Sequence, residues 1–240
     1  MNQSAIQSLW ISEQKQIPLL QRLCMESFLR NNTEYYLYTY GEVEGLPDGV
    51  ILRDANAIIP RDFIFLDRYH SYATFADWFR IKLLYATGGW WVDVDVVCLR
   101  EFVTAEDYVF ATELSKKGPA ICNCVMKAPK KSPMLNALLH SIERNLTDKG
   151  SKTISWREIG AIALVDGIMD FSLLDFAVSP EVFCPIDYKN YSLIGSNRDI
   201  VVPAETYGVH LWNQMWVWNK MDPSTLIGGA SFLNRFIVGS

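Results

Sequence analysis

No run of about 20 apolar residues occurs in the 240-residue sequence, because Asp166, Asp170 and Asp175 interrupt the longest candidates, so no membrane-spanning helix is expected. The opening Met1-Asn2-Gln3-Ser4-Ala5 lacks the basic and then apolar regions of a signal peptide, which argues against secretion by that route. Lysine and arginine form no block and the formal charge is −5, so no segment is built to neutralise a row of phosphates, and nucleic acid is not an expected partner. Cysteine is sparse. The five residues are an odd number without C-x-x-C spacing, which speaks against a disulfide framework and a zinc knuckle and for a reducing, cytoplasmic setting. Cys122 and Cys124 alternate in a strand-like stretch and read as buried thiols rather than ligands.

What is present is enough apolar residue, half of the chain, to bury one sizeable core. A strand is expected at Ile6 to Ile11, a helix from Pro18 to Arg30, and strands at Tyr35 to Tyr40 and Val50 to Leu52 after the turn Gly45-Leu46-Pro47-Asp48-Gly49. Phe75 to Ala86 is apolar nearly all round, the mark of a buried helix, and Gly88-Gly89 caps it. Trp90 to Leu99 reads as one valine-rich strand. Further strands are expected at Tyr108 to Thr112 and Ala120 to Ala128, helices from Ser132 to about Asn145 and from Trp156 to Met169, and a long mobile loop from Tyr191 to Pro203. With no repeat or linker, the alternation predicts an α/β fold, one domain over 1–240 with a mostly parallel central sheet flanked by helices.

In a continuous strand Asp93 and Asp95 would project to one face, roughly 7 Å apart at Cα. An arbitrary D-x-D is commonly a solvated strand end. Here both flanks are apolar, and two carboxylates in such surroundings are costly unless a cation pairs with them. Hard oxygen ligands suit Mg²⁺ or Mn²⁺, ions typically shared between a few carboxylates and a substrate's phosphates. Asp77 and Arg80, at i and i+3 of the preceding helix, share a face and form either an ordinary ion pair or part of the same site.

The run Tyr72-Ala73-Thr74-Phe75-Ala76-Asp77-Trp78-Phe79-Arg80, followed by Gly88-Gly89-Trp90-Trp91-Val92-Asp93-Val94-Asp95, closely resembles the glycosyltransferase sugar-binding region containing a DXD motif, in the capsular polysaccharide, yeast-type α-mannosyltransferase and α-1,4-galactosyltransferase group. The opening Ile6-Gln7-Ser8-Leu9-Trp10-Ile11 is similar to that family's first strand, and Val209-His210-Leu211-Trp212-Asn213 to its closing H-x-W-N segment. Departures are Ala76, where the family often has Ser, and Gly160-Ala161, where it has a G-P step after a segment like Trp156-Arg157-Glu158-Ile159.

The resemblance implies a GT-A nucleotide-diphospho-sugar transferase fold, with a nucleotide-sugar part over about 1–100 and an acceptor-side part over about 101–240. It further implies a nucleotide-diphosphate sugar donor, Mn²⁺ or Mg²⁺, and transfer with retention of anomeric configuration. Carried over by position, Asp93, Asp95 and His210 would hold the metal, with Asp93 also on the ribose. Asp77 and Arg80 would take the donor sugar's hydroxyls, Trp10 would pack by the base, Trp91 would line the donor pocket and Trp212 would lie near it. Asn123, in the strand-like stretch after the acidic pair, is a candidate polar group near the reacting face.

The expected function is hexose transfer from UDP-hexose, with GDP-mannose as second choice, to a glycan or lipid-linked acceptor in surface polysaccharide synthesis. Peripheral association with a membrane is part of that expectation. Two alternatives remain from the residues alone: a catalytically silent nucleotide-sugar-binding module, and a phosphatase of the haloacid-dehalogenase type, whose nucleophile motif an apolar strand ending in Asp-Val-Asp-Val resembles.

Overall fold

The computed structural model describes residues 5–31, 33–150, 153–154, 158–198, 200–227, 231–232 and 234. Trp156 and Arg157, where a helix is expected to begin, lie outside the described residues, as do Met1 to Ser4.

The central sheet has six strands in the order β3-β2-β1-β4-β7-β6. Strands β1 (Ile6–Trp10), β2 (Tyr35–Thr39), β3 (Ile51–Asp54) and β4 (Gly89–Val92) run parallel to one another. The long hairpin of β6 (Val109–Ser115) and β7 (Gly118–Ala128) adds antiparallel to β4, so the sheet is mostly parallel. Strands β5 (Val96–Cys98) and β8 (Gly208–His210) form a separate two-stranded antiparallel ribbon.

Side-chain alternation along the strands sorts the core into two apolar layers, one on each face of the sheet. Trp90, Val92 and Val125 face a layer closed by α1 (Leu19–Arg30), the β5–β8 ribbon, the short α5 (Pro180–Phe183) and α6 (Asn213–Trp218). Trp91, Tyr36, Tyr38 and Met126 face the opposite layer, covered by α2 (Ala73–Thr87), α3 (Pro133–Lys149) and α4 (Ala163–Asp170).

Local chemistry explains where these elements begin and end. Proline precedes or opens α1 and α3, and the Ser132 hydroxyl accepts from the Leu135 amide at 3.2 Å, capping α3. Helix α2 buries Phe75, Trp78, Phe79, Ile81, Leu83 and Leu84 on several sides, which is why its sequence shows no polar stripe. It ends at Gly88, whose φ of 68° and position suit only glycine, since a Cβ there would stand 2.6 Å from the Lys130 backbone nitrogen.

Two expectations fail. Trp90 to Leu99 is not one strand. It breaks after Val92, and a turn over residues 93–95, closed by the Val96 amide on the Asp93 carbonyl at 3.1 Å, redirects the chain. The cause is pairing: β4 is held between β1 and β7, whereas β5 pairs with β8 in the other sheet, and one straight strand could not serve both. The expected loop from Tyr191 to Pro203 is also partly structured, because Tyr188–Gly195 forms 3₁₀ turns that bury Ile194 and set Tyr191 edge-on against Trp216 at 4.8 Å.

Candidate functional site

At the C-terminal ends of the parallel strands, the turn between β4 and β5 delivers two carboxylates to one cavity of about 450 Å³. Its lining includes Asp77, Arg80, Asp93, Asp95, Asn123 and His210, so residues from α2, the turn, β7 and β8 meet there. A crevice at the carboxyl ends of strands is where open α/β sheets generally receive ligands.

The Asp93 amide continues the β4–β7 ladder by donating to the Cys124 carbonyl at 2.8 Å, which keeps this residue on the sheet side of the turn. Its carboxylate Oδ1 accepts from Trp91 Nε1 at 2.8 Å and pairs with Arg80 Nη1 at 3.1 Å. Arg80 in turn pairs through Nη2 with Asp77 Oδ1 at 3.1 Å, donates through Nη1 to the Asn123 carbonyl, and lies 4.9 Å over the Trp91 ring. The Asn123 side-chain amide closes the network on Asp77 Oδ1 at 2.8 Å. One buried guanidinium therefore serves two carboxylates, an arrangement that its planar fork of donors suits better than an ammonium would.

Asp95 is held from the other direction. Its carbonyl accepts from the Leu211 amide at 2.9 Å, while Oδ2 accepts from the Asn213 amide at 2.8 Å and sits 3.3 Å from His210 Nε2. His210 in turn lies against Trp212, with ring centroids 4.0 Å apart and planes tilted by 46°. Among the described residues, the side-chain contacts of Asp93 fall on Oδ1, and those of Asp95 with His210 and Asn213 fall on Oδ2.

Electrostatics separates the pair. Burial pushes the Asp93 carboxyl up to about 6, with Arg80 opposing and the neighbouring Asp95 adding to the rise. Burial acts on Asp95 in the same sense, but the His210 charge and hydrogen bond, with the Asn213 amide, outweigh it and hold Asp95 below its ordinary value. The same contact raises His210 well above the usual imidazole range despite its burial.

A ligand atom from each of Asp93, Asp95 and His210 lies within 4.8 Å of the other two. Two carboxylates and an imidazole so disposed are a donor set that fits a divalent cation.

Of the other residues singled out from sequence, Asn123 and Trp212 line the cavity. Trp91 does not. It is buried in the α2 layer, where strand alternation sends it, and it acts on the site from beneath through Asp93 and Arg80. Trp10 lines a second cavity of about 370 Å³ with Tyr40, Arg61 and Tyr72. The two cavities meet in sequence at the start of α2, where Tyr72 lines one and Ala73 the other. Glu158 pairs with Lys149 of α3.

Sequence reasoning missed Gly160 as a functional position. A Cβ there would lie 2.1 Å from Asp77 Oδ2, so glycine is what lets the Glu158–Ile162 turn close over the Asp77 carboxylate. It also missed Cys122 and Cys124, which line the same cavity. The glycine at position 160 and the alternating thiols were the available signals, but their partners are far away in the chain.

Residues 12–115 match the family described as the glycosyltransferase sugar-binding region containing a DXD motif. No curated protein sequence matches the chain. Among solved structures, the PaToxG glycosyltransferase is similar at a TM-score of 0.54 and 15% identity, over 71% of this chain and 70% of that one. The glycosyltransferase GlyE of Streptococcus pneumoniae TIGR4 aligns at a TM-score of 0.49 and 14% identity, over 92% of this chain and 61% of that one. The PaToxG likeness concerns the fold, and the mixed α/β architecture is the one the resemblance implies.

Proposed function

From the premise that residues 12–115 belong to the glycosyltransferase sugar-binding region containing a DXD motif, we propose that the chain is a metal-dependent, retaining hexosyltransferase. Its donor in this reading is a nucleotide-diphosphate sugar, UDP-hexose first and GDP-mannose second, and its acceptor a glycan or lipid-linked sugar of a surface polysaccharide. The observation that carries the reading is the convergence of Asp93, Asp95 and His210 with the Asp77–Arg80–Asn123 network in one cavity.

Asp93, Asp95 and His210 would hold Mn²⁺ or Mg²⁺, which when bound supplies positive charge for the departing diphosphate. The protein's own contribution begins with charge: Arg80 pairs with both Asp77 and Asp93 and offsets part of the repulsion between them in the buried pocket. Asp77 and Asn123, fixed to each other, offer acceptor and donor groups at the spacing of adjacent sugar hydroxyls. The Trp10 cavity is the natural seat for the nucleoside, since an indole face stacks on any base. Transfer breaks the bond from the anomeric carbon to the diphosphate oxygen and forms one to the acceptor oxygen on the same face, the acceptor's proton leaving with the diphosphate.

Calorimetry with a panel of nucleotide sugars, with and without Mn²⁺, followed by assay of donor hydrolysis, tests the proposal. Metal-dependent binding of one donor with slow hydrolysis is expected. Binding without any turnover, in the presence of acceptor glycans as well, would reduce the chain to a binding module, and no binding at all would overturn the reading.

Among the described residues no helix is long and apolar enough to cross a membrane. Peripheral association with a membrane that carries lipid-linked acceptors is part of the proposal.

A further inference from the structure

Beside the acidic pair lies a second group of ligating side chains, of which the transfer chemistry uses only the histidine. Cys122 and Cys124, two apart on β7, present their thiols to the same face of the strand. Cys184 follows α5, and His210 ends β8. One ligand atom from each of the four residues lies within 4.8 Å of all the others, and all four residues are buried.

We propose that Cys122, Cys124, Cys184 and His210 form a site for a thiophilic divalent cation, Zn²⁺, separate from the Asp93/Asp95 site and sharing its histidine.

Three observations support this. The first is distance. Zinc–sulfur bonds of about 2.3 Å in a tetrahedron place neighbouring sulfurs about 3.8 Å apart, and Cys124 Sγ and Cys184 Sγ stand 3.7 Å apart. A disulfide requires about 2.05 Å and a closer approach of both chains. Thiols in simple contact stand as far apart as two zinc ligands, so the distance permits the site and the fourth donor carries the argument.

That donor is the second observation. His210 is 8% exposed and its Nδ1 has no hydrogen-bond partner among the described residues, while Nε2 faces Asp95. A buried polar atom left unpaired is costly, because it has given up its hydrogen bonds to water. A cation held with the thiols would remove that cost.

The third is donor chemistry. Three thiols and one imidazole are a recurrent closed set for structural zinc, whereas the carboxylates of the neighbouring site favour harder ions. The spacing gives no warning of this, because the ligands come from three segments, with Cys184 60 positions after Cys124.

The test reads metal content and absorption on the full chain, with no nucleotide sugar present. Protein purified without chelator is passed through gel filtration and analysed for zinc, and metal-free protein is titrated with Co²⁺. About one zinc per chain is expected, together with thiolate-to-cobalt charge-transfer absorption. Both should be lost in Cys184→Ser and Cys124→Ser and kept in Asp95→Asn. A mercurial reagent titrated into wild-type protein should release the zinc as the thiols react, which serves even where a cysteine variant fails to fold.

The proposal is overturned by wild-type protein that gives no charge-transfer band, or by a band that persists in folded Cys184→Ser. Zinc lost in Asp95→Asn but kept in Cys184→Ser would also overturn it, by assigning the ion to the acidic pair. None of these readouts depends on glycosyl transfer, so the failure of either proposal leaves the other standing.

Discussion

Asp93 and Asp95 are the same residue type two positions apart at one cavity, yet their surroundings move them in opposite directions. Asp93 belongs to the sheet and to α2, where burial raises it to about 6 although Arg80 stands beside it. Asp95 belongs to the β5–β8 side, where His210 and the Asn213 amide hold it down. The first half of the site is a charge network that joins α2, the turn and β7. The second is assembled from a segment more than a hundred residues later in the chain, with the Asn213 amide donating to Asp95. A turn of three residues lets one motif draw on both, which a straight strand could not do.

The contrast is most sharply broken at Asp95. In the proposed enzyme, Asp95→Ala should abolish metal-dependent transfer and donor hydrolysis together, by about 100-fold or more, and should also lower the thermal stability of metal-free protein, because it leaves His210 without its buried partner. Normal turnover in that variant would assign the chemistry elsewhere.

At the other half the main effect should be on stability. Arg80→Met leaves Asp77 and Asp93 buried without their shared cation, and removing one partner of a buried pair typically costs about 3–5 kcal/mol. Denaturant unfolding of the variant should show this loss, and Arg80→Lys should recover only part of it because an ammonium cannot reproduce the fork.

A smaller effect is expected from Gly160→Ala, whose new methyl would displace the Asp77 carboxylate it meets at 2.1 Å. Strain of about 1–3 kcal/mol should appear in unfolding, with donor affinity weakened more than metal affinity. Equal weakening of both would mean that the two halves are not independent.

The smallest expected effect is one of pH. Asp93 titrates at about 6 when folded against an ordinary value of 3.8, so the folded state binds the proton more tightly and stability falls as pH rises between those values. Asp93→Asn should flatten that part of the profile in metal-free protein. A series of melting curves from pH 4 to about 6.5 checks the sign, and an unchanged slope would show that Arg80 already cancels the cost of burial.

Much of this architecture is legible in the amino-acid sequence. The turn Gly45 to Gly49, the proline at the start of α1 and the buried helix α2 ended by Gly88 follow from local residue chemistry, and they appear where expected. Helical spacing alone puts Asp77 and Arg80 on one face, and the ion pair at 3.1 Å lies there. The break between β4 and β5 is not legible, because valine favours a strand in either sheet and only the partners β7 and β8 decide where each part pairs. Trp91 departs from its expected place in the pocket for a related reason: which layer a strand residue faces depends on register, and register sends it under Arg80.

By itself the sequence determined most of the order of elements, the buried character of α2 and the presence of two carboxylates in apolar surroundings, since these depend on propensity and on patterns within about a dozen residues. The tertiary structure alone decided that Asp93 and Asp95 turn toward different neighbours, that Gly160 admits the Asp77 carboxylate, and that three thiols gather at His210. These are contacts between segments far apart in the chain, whose meeting is fixed by packing the two layers against one sheet and not by any local preference.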